Sequence, residues 1–348
     1  MSQRIDPREK ARQLAREAAS SLIRKGQSWT VGTLAKAVKS GNREALAQAI
    51  TWVESTKREH QPQIEQLLEQ TAERTEALRI GITGIPGAGK STLIERFGMD
   101  AIEKGWKVAV LAVDPSSNRT KGALLGDKTR MQELSKHAHA FVRPSPSSTT
   151  LGGVSRATAE AIQLCEAAGF DLILVETVGI GQSEVTVRGM VDMFILLLIG
   201  GAGDDVQGIK RGVVEMADLM VVHKAESDRK KECQRTASSY LQALHLLPPP
   251  PSASEVPVLL VSSLTGEGHP ELWDAITQLQ ASWKKSGWWN QQRQGQRQEA
   301  MHRHAKQLLI ERQMQEKSQW YAQLEAQVSE GAISPYAAAR KWIEGHAD

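Results

Sequence analysis

The sequence predicts an α/β protein built on a mostly parallel, doubly wound sheet, with helical extensions at both ends. Three observations predict it. Six short apolar runs, "LRIGITG", "KVAVLAVDP", "DLILVETVG", "DMFILLLIG", "DLMVVHKAE" and "PVLLVSSLTG", are separated by stretches of helical character. The runs are nearly continuous in apolar residues rather than alternating, as in strands covered on both faces, and their alternation with helices is that of a parallel sheet. Glycine and polar residues gather at the C-terminal end of nearly every run, the edge at which such sheets bind ligands.

The elements follow in chain order. Residues 1–77 read as a helical N-terminal extension, in which Leu34, Val38, Leu46, Ile50 and Val53 recur at three- and four-residue spacing. Residues 78–285 carry the sheet. Residues 286–348 read as a helical C-terminal arm. Five of the nine tryptophans lie at Trp283 or later, and a tail without a sheet must bury them on the parent domain or on a second copy of the chain. A homodimer built through this arm is therefore expected.

Composition narrows the setting. The chain of 348 residues is 40% hydrophobic and 24% charged, and its net charge of +3 does not mark a nucleic-acid binder. Cys165 and Cys233 form no CxxC pair, which fits a reducing compartment. The N-terminus is charged throughout, unlike a signal peptide. The run "MFILLLI" is far shorter than the roughly 20 residues a membrane span needs. A cytoplasmic protein with no membrane or nucleic-acid partner is expected.

The strongest chemical signal is "GITGIPGAGKSTLIERF". Gly84, Ile85, Pro86, Gly87, Ala88, Gly89, Lys90 and Ser91 match the phosphate-loop pattern GxxxxGKS. Glycines let backbone N–H groups turn inward around phosphate oxygens, and the helix that follows presents its positive end to the same anion. Lys90 is placed to reach the β- and γ-phosphates, and the Ser91 hydroxyl to ligate Mg²⁺. Asp114, Asp127 and Glu176 stand at or beyond strand ends, where acids hold the metal or orient water. In "ETVGIGQSE", Gly179 offers a backbone N–H to the γ-phosphate, and Gln182 is a candidate for orienting water. The glycine-rich stretch "GGAGDDVQGIKRG" that follows has the make-up of a switch loop.

The base is expected to be read by His223, Lys224, Ala225 and Glu226. These stand where a guanine-reading Asn-Lys-x-Asp would fall, with the lysine retained and a glutamate in place of the aspartate. A carboxylate accepts the N1–H and exocyclic amine of guanine, a donor pair that adenine lacks. "VSSLTG", with Ser262, Ser263 and Leu264, is the expected second base contact.

Together these motifs resemble the MeaB/ArgK-type GTPases of the SIMIBI class, associated with methylmalonyl-CoA mutase. The resemblance rests on "GITGIPGAGKSTLIE", "VLAVDPSS", "LLGDKTRM", "ETVGIGQSEV" and "GAGDDVQGIKRG" and is strong from Leu78 to Leu272. It implies a P-loop NTPase fold, GTP hydrolysis to GDP with Mg²⁺, a homodimer, and an adenosylcobalamin-dependent mutase as partner, whose cofactor loading and protection the nucleotide gates. It implies Gly84, Gly87, Gly89, Lys90, Ser91 and Thr92 as phosphate contacts, Asp114, Asp127 and Glu176 as metal-side acids, and the loop from Gly200 to Gly212 as the segment that answers to the partner. Three other readings stand beside it: an ATPase or kinase of LAO/AO transport systems, a nickel-delivery GTPase, and a non-enzymatic nucleotide-sensing scaffold. The histidines are scattered, with His137 and His139, and His302 and His304, the only close pairs, and a closed transition-metal site needs three or four clustered ligands.

Overall fold

Seven strands form one sheet in which every pairing is parallel, in the order β3-β2-β4-β1-β5-β6-β7. The computed structural model describes residues 29–55, 57–72, 76–113, 131–143, 151–177, 183–201, 211–316 and 318–345. The strands are β1 (Leu78–Gly84), β2 (Val108–Val113), β3 (Ala140–Arg143), β4 (Leu172–Thr177), β5 (Met193–Ile199), β6 (Leu219–His223) and β7 (Val258–Val261). Six coincide with the apolar runs of the sequence. The seventh, β3, is a four-residue edge strand ending in Arg143, too short and too polar to stand out as a run.

The chain divides into two compact units, one of residues 1–248 with 255–271, the other of 249–254 with 272–348. The first begins with helices α1 (Val31–Lys39), α2 (Arg43–Val53) and α3 (Gln61–Gln70). Thr30 and Thr33 make a reciprocal capping box at the start of α1, and Asn42 caps α2 through the Ala45 N–H. Leu34, Val38, Leu46, Ile50 and Val53 are fully buried in the same core as Leu111, Ile173 and Val175 of the sheet. The N-terminal helices thus share the core on one side of the sheet, together with Ala161, Ile162 and Leu164. Arg143 of β3 reaches across to Glu54 at the end of α2, whose carboxyl burial pushes above its usual range against the pull of that arginine.

Connections between strands are helical: α4 (Lys90–Glu103), α5 (Gln132–Lys136), α6 (Leu151–Ala167), α7 (Ser183–Arg188), α8 (Arg211–Met216) and α9 (Lys230–Leu244). Because β2 and β3 lie to one side of β1 and β5, β6 and β7 to the other, with β4 returning between β2 and β1, a crevice opens at the C-terminal end of β1.

At the opposite edge, the residue before each of three strands is an aspartate that holds a neighbouring backbone. Asp171, Asp192 and Asp218 accept from the N–H groups of Lys107, Arg79 and Phe194, at 2.8, 2.9 and 2.8 Å. Arg79 also donates a two-pronged pair of hydrogen bonds to Glu166, and Arg188 pairs with Asp218 at 3.1 Å.

Helix α10 (His269–Ser286) starts in the first unit and continues into the second, followed by α11 (Trp288–Glu316), α12 (Ser318–Ser329) and α13 (Pro335–Glu344). Trp283 donates to Ser254 at 3.0 Å, Trp289 lies against Lys284 and Arg293, and Tyr321 meets Trp342 edge to face. None of the five late tryptophans is exposed in the single chain. The aromatic demand seen in the sequence is met without a second copy. The exposed apolar side chains of α11 are instead Met301, Leu308, Leu309 and Ile310. Among the described residues no helix is long and apolar enough to cross a membrane.

Candidate functional site

The phosphate loop joins β1 to α4, at the C-terminal edge of the sheet. Gly87 and Gly89 take φ values of +83° and +92°, in the left-handed region that favours glycine. At Gly89 an added Cβ would also lie 2.6 Å from His223 Nδ1, so this position needs glycine both for its turn and for the approach of the histidine. Lys90 opens α4 and is only 8% exposed. Its ammonium donates to the carbonyls of Gly84 at 2.9 Å and Ile85 at 3.3 Å, so it folds back over the loop. A buried cation held by neutral carbonyls is well placed to exchange them for an anion.

Ser91, in the first turn of α4, donates to Glu176 Oε1 at 3.2 Å. Glu176 lies near the end of β4, opposite Ile82 of β1 and Ala112 of β2, and this register brings the acid to the helix start. Thr92, the next residue, is exposed. Asp114, Asp127, Gly179, Gln182 and positions 202–210 of the glycine-rich loop lie outside the described residues.

The base-side residues close the crevice from β6 and β7. Lys224 has φ +59° and donates to the Gly87 carbonyl at 2.8 Å, so the retained lysine of the HKAE stretch lies on the phosphate loop. His223 ends β6 and is buried, with Nδ1 2.9 Å from the Ala88 carbonyl and Nε2 2.8 Å from Ser263 Oγ. Burial lowers its proton affinity, with the Ala88 carbonyl and Glu226 acting in the opposite sense. Ser262 donates to Glu226 Oε1 at 3.3 Å, which joins the candidate base-reading acid to the second base segment. Leu264 is 76% exposed; its side chain points to solvent.

Sequence reasoning missed His269, Asp100, Arg229 and Cys233. His269 Nε2 lies 3.1 Å from Ser263 Oγ, and its Nδ1 lies 2.9 Å from Asp100 Oδ2, a charge contact off the line of a good hydrogen bond. Asp100 in turn accepts from Arg96. Arg229 donates to the Gly200 carbonyl at 3.0 Å, and a Cβ at Gly200 would meet Cys233 Sγ, so the root of the glycine-rich loop is held on α9. No local pattern signals the links of His269 to Asp100 or of Gly200 to Arg229 and Cys233, because these partners are far apart in the chain.

A strand–loop–helix cradle with a buried lysine, a serine–carboxylate pair beside it and a base-side lysine laid on the loop define a P-loop nucleoside-triphosphate hydrolase. The family described as methylmalonyl-CoA mutase-associated GTPase MeaB matches residues 46–318, and the chain belongs to that family. A probable GTPase of Mycobacterium tuberculosis is 54% identical over 248 residues, 71% of this chain and 74% of that protein. GTPase ArgK of Escherichia coli is 48% identical over 268 residues, 76% of this chain and 81% of its own. The mouse protein named methylmalonic aciduria type A homolog, mitochondrial, is 48% identical over 258 residues, 71% of this chain and 62% of its own. Among solved structures, one described as a LAO/AO transport system kinase aligns with a TM-score of 0.70 at 36% identity, covering 92% of this chain and 98% of that one. The protein is a P-loop GTPase that binds guanine nucleotide and hydrolyses GTP.

Proposed function

We propose that this GTPase serves as a chaperone to an adenosylcobalamin-dependent acyl-CoA mutase of the methylmalonyl-CoA mutase type, that GTP turnover gates loading and protection of the mutase cofactor, and that it acts as a cytoplasmic homodimer. The observation that carries this reading is the family match over residues 46–318, which spans the whole nucleotide site.

Mg²⁺ fits the donors present. Ser91 Oγ and Glu176 Oε1 are hard oxygens 3.2 Å apart, close to the roughly 2.9 Å that separates neighbouring ligands of an octahedral Mg²⁺. Asp114 and Asp127 are proposed as the further metal-side acids. The ion, when bound, neutralises charge on the β- and γ-phosphate oxygens. The chain's own residues do the rest. Lys90 leaves the Gly84 and Ile85 carbonyls for the phosphates, the loop N–H groups and the start of α4 hold the transferred group, and Gln182 orients the attacking water. Glu226 reads the guanine, with Ser262 holding its carboxylate. The glycine-rich loop, rooted at Gly200 on α9, is proposed to order against both γ-phosphate and mutase. Glycine loses the most backbone entropy on ordering, so the loop needs both sets of contacts. The exposed stretch Met301, Leu308, Leu309 and Ile310 is the proposed dimer contact.

The test is phosphate release from GTP with and without a cobalamin-dependent mutase of the same organism. Slow intrinsic turnover that rises with mutase is expected, and linkage requires a GTP analogue and GDP to differ in their effect on mutase affinity. Absence of stimulation contradicts the chaperone reading. Light scattering of Leu309→Asp tests the dimer: a monomer is expected, and a surviving dimer excludes this face.

A further inference from the structure

We propose that His223, Ser263 and His269 form a positioning relay that sets the phosphate loop in register with the base-side loop, and that the relay closes on one proton shared by its two histidines. The inference deepens the nucleotide-site reading and rests on it.

The first step is a matter of donors. The Ala88 carbonyl only accepts, so His223 Nδ1 carries the hydrogen at that 2.9 Å contact. In a trans peptide the carbonyl of one residue and the N–H of the next point in opposite directions. With Ala88 O held toward His223, the Gly89 N–H is aimed away from the histidine, to the side of the loop where phosphate oxygens bind. His223 therefore fixes the orientation of one peptide of the cradle. Lys224 does the same for the preceding carbonyl, that of Gly87.

The second step counts hydrogens. The contacts are Ala88 O with His223, His223 with Ser263, Ser263 with His269, and His269 with Asp100. Both ends, a carbonyl and a carboxylate, present lone pairs; a bare Nδ1 facing the Asp100 carboxylate at 2.9 Å would repel it, so that contact needs a hydrogen too, bent as it is, and each of the four contacts needs its own. Two neutral imidazoles and one hydroxyl supply three. One added proton, on either ring, supplies the fourth and leaves no lone pairs opposed. With His269 charged, the Ser263 hydroxyl donates to His223; with His223 charged, it donates to His269. The proton belongs to the pair.

The surroundings fix the direction of the pH response. Glu226, Lys224 and the thiol of Cys233 lie around His223, and Asp100 and Arg96 around His269. Burial lowers the proton affinity of both rings, opposed at His269 chiefly by Asp100. Near neutral pH the relay then lacks its fourth hydrogen, and falling pH completes it. The fourth hydrogen completes the missing contact at Ser263 and so ties the base-side loop to the His223 that holds Ala88; nucleotide then binds more tightly as pH falls through the histidine range.

The test is GDP affinity by calorimetry between about pH 8 and pH 5 for the full chain, His223→Ala, His223→Asn and His269→Gln. The ratio of wild-type to His223→Asn affinity removes the titration of the nucleotide itself. His223→Ala is expected to weaken binding about tenfold, and asparagine, which offers an amide N–H to Ala88 and has no titration, to recover most of the loss. The wild-type to Asn ratio should rise about fivefold toward low pH, one hydrogen bond's worth, and the rise should vanish in His269→Gln. A flat ratio, or no loss in His223→Ala, overturns the relay. Imidazole ¹⁵N shifts of the nucleotide-free protein give an independent check: neutral His223 with its hydrogen on Nδ1 supports the relay, and the Nε2–H tautomer overturns it even where nucleotide binds. Absence of GDP binding together with the Nδ1–H tautomer would instead refute the nucleotide-site reading and, with it, the relay's role there.

Discussion

The two edges of the central sheet both hold charged or hydrogen-bonding groups, and they satisfy them in opposite ways. At the N-terminal edge every partner belongs to the frame. Asp171, Asp192 and Asp218 hold strand N–H groups, Arg79 clasps Glu166, and Arg188 meets Asp218. At the C-terminal edge the cations rest on backbone carbonyls: Lys90 on Gly84 and Ile85, Lys224 on Gly87. A carbonyl offers a lysine far less than a phosphate does. On the proposed reading, the frame satisfies one edge and a nucleotide completes the other. Substitutions at the first should cost stability without touching affinity, and substitutions at the second should do the reverse.

The largest effect expected on that contrast is Lys90→Ala. Truncating one partner of a buried charge pair costs about 3 kcal/mol, so GDP affinity should fall about a hundredfold with the melting transition preserved. Unchanged affinity in the folded variant, measured by calorimetry, breaks the assignment of the C-terminal edge. Glu166→Ala is the counterpart. It leaves Arg79 without its carboxylate in a mostly buried place, and removing one member of such a pair costs about 3 kcal/mol of stability. Urea unfolding should show the loss while GDP affinity stays level; a loss of affinity would mean the two edges are not separate.

A smaller change sharpens the contrast within the nucleotide site. Glu226→Asp shortens the arm that Ser262 holds and should raise the preference for GTP over ATP about tenfold, within the ~1–3 kcal/mol of a good base contact. No change in the ratio would remove Glu226 from base reading.

The last effect is confined to a pH window. Burial raises the Asp218 carboxyl to about 6, against the opposing pull of Arg188. An acid whose pKa is raised by folding contributes stability that is full below the unfolded value and is lost as pH rises through the folded one. Stability from this group should decline from about pH 4 to about pH 6, and Asp218→Asn should flatten that part of the urea-midpoint profile without moving GDP affinity. Identical slopes in the two proteins would contradict the assignment.

The two edges also differ in how far they could be read from sequence. Lys90 and Ser91 were legible because a phosphate loop is contiguous and each residue type has a separate task. Glu176 was legible because it lies near the end of a buried apolar run. The aspartates before β4, β5 and β6 were equally visible in "DLILVE", "DMFILLL" and "DLMVVH", but their function lies in the neighbouring strand's N–H, which only sheet order supplies. His269 and Asp100 were silent for the same reason: their links to Ser263 and His223 arise where α4, β6 and the segment after β7 converge. Helical periodicity picked out Leu34, Val38, Leu46, Ile50 and Val53, and the structure adds that they share a core with Leu111, Ile173 and Val175 of the sheet. The tryptophans of the C-terminal arm argued for burial, yet composition could not say against what. Ser254, Lys284 and Arg293 are among the answers.

The account turns on the C-terminal edge being a guanine-nucleotide site in which Lys224 and Glu226 work without the usual Asn and Asp beside them. The most direct test is competition between GTP and ATP for the wild-type protein in the presence of Mg²⁺. GTP should displace a bound guanine analogue at lower concentration than ATP, by a margin narrower than one intact bidentate base contact would give, about 1–3 kcal/mol less. Equal affinity for the two nucleotides would contradict it.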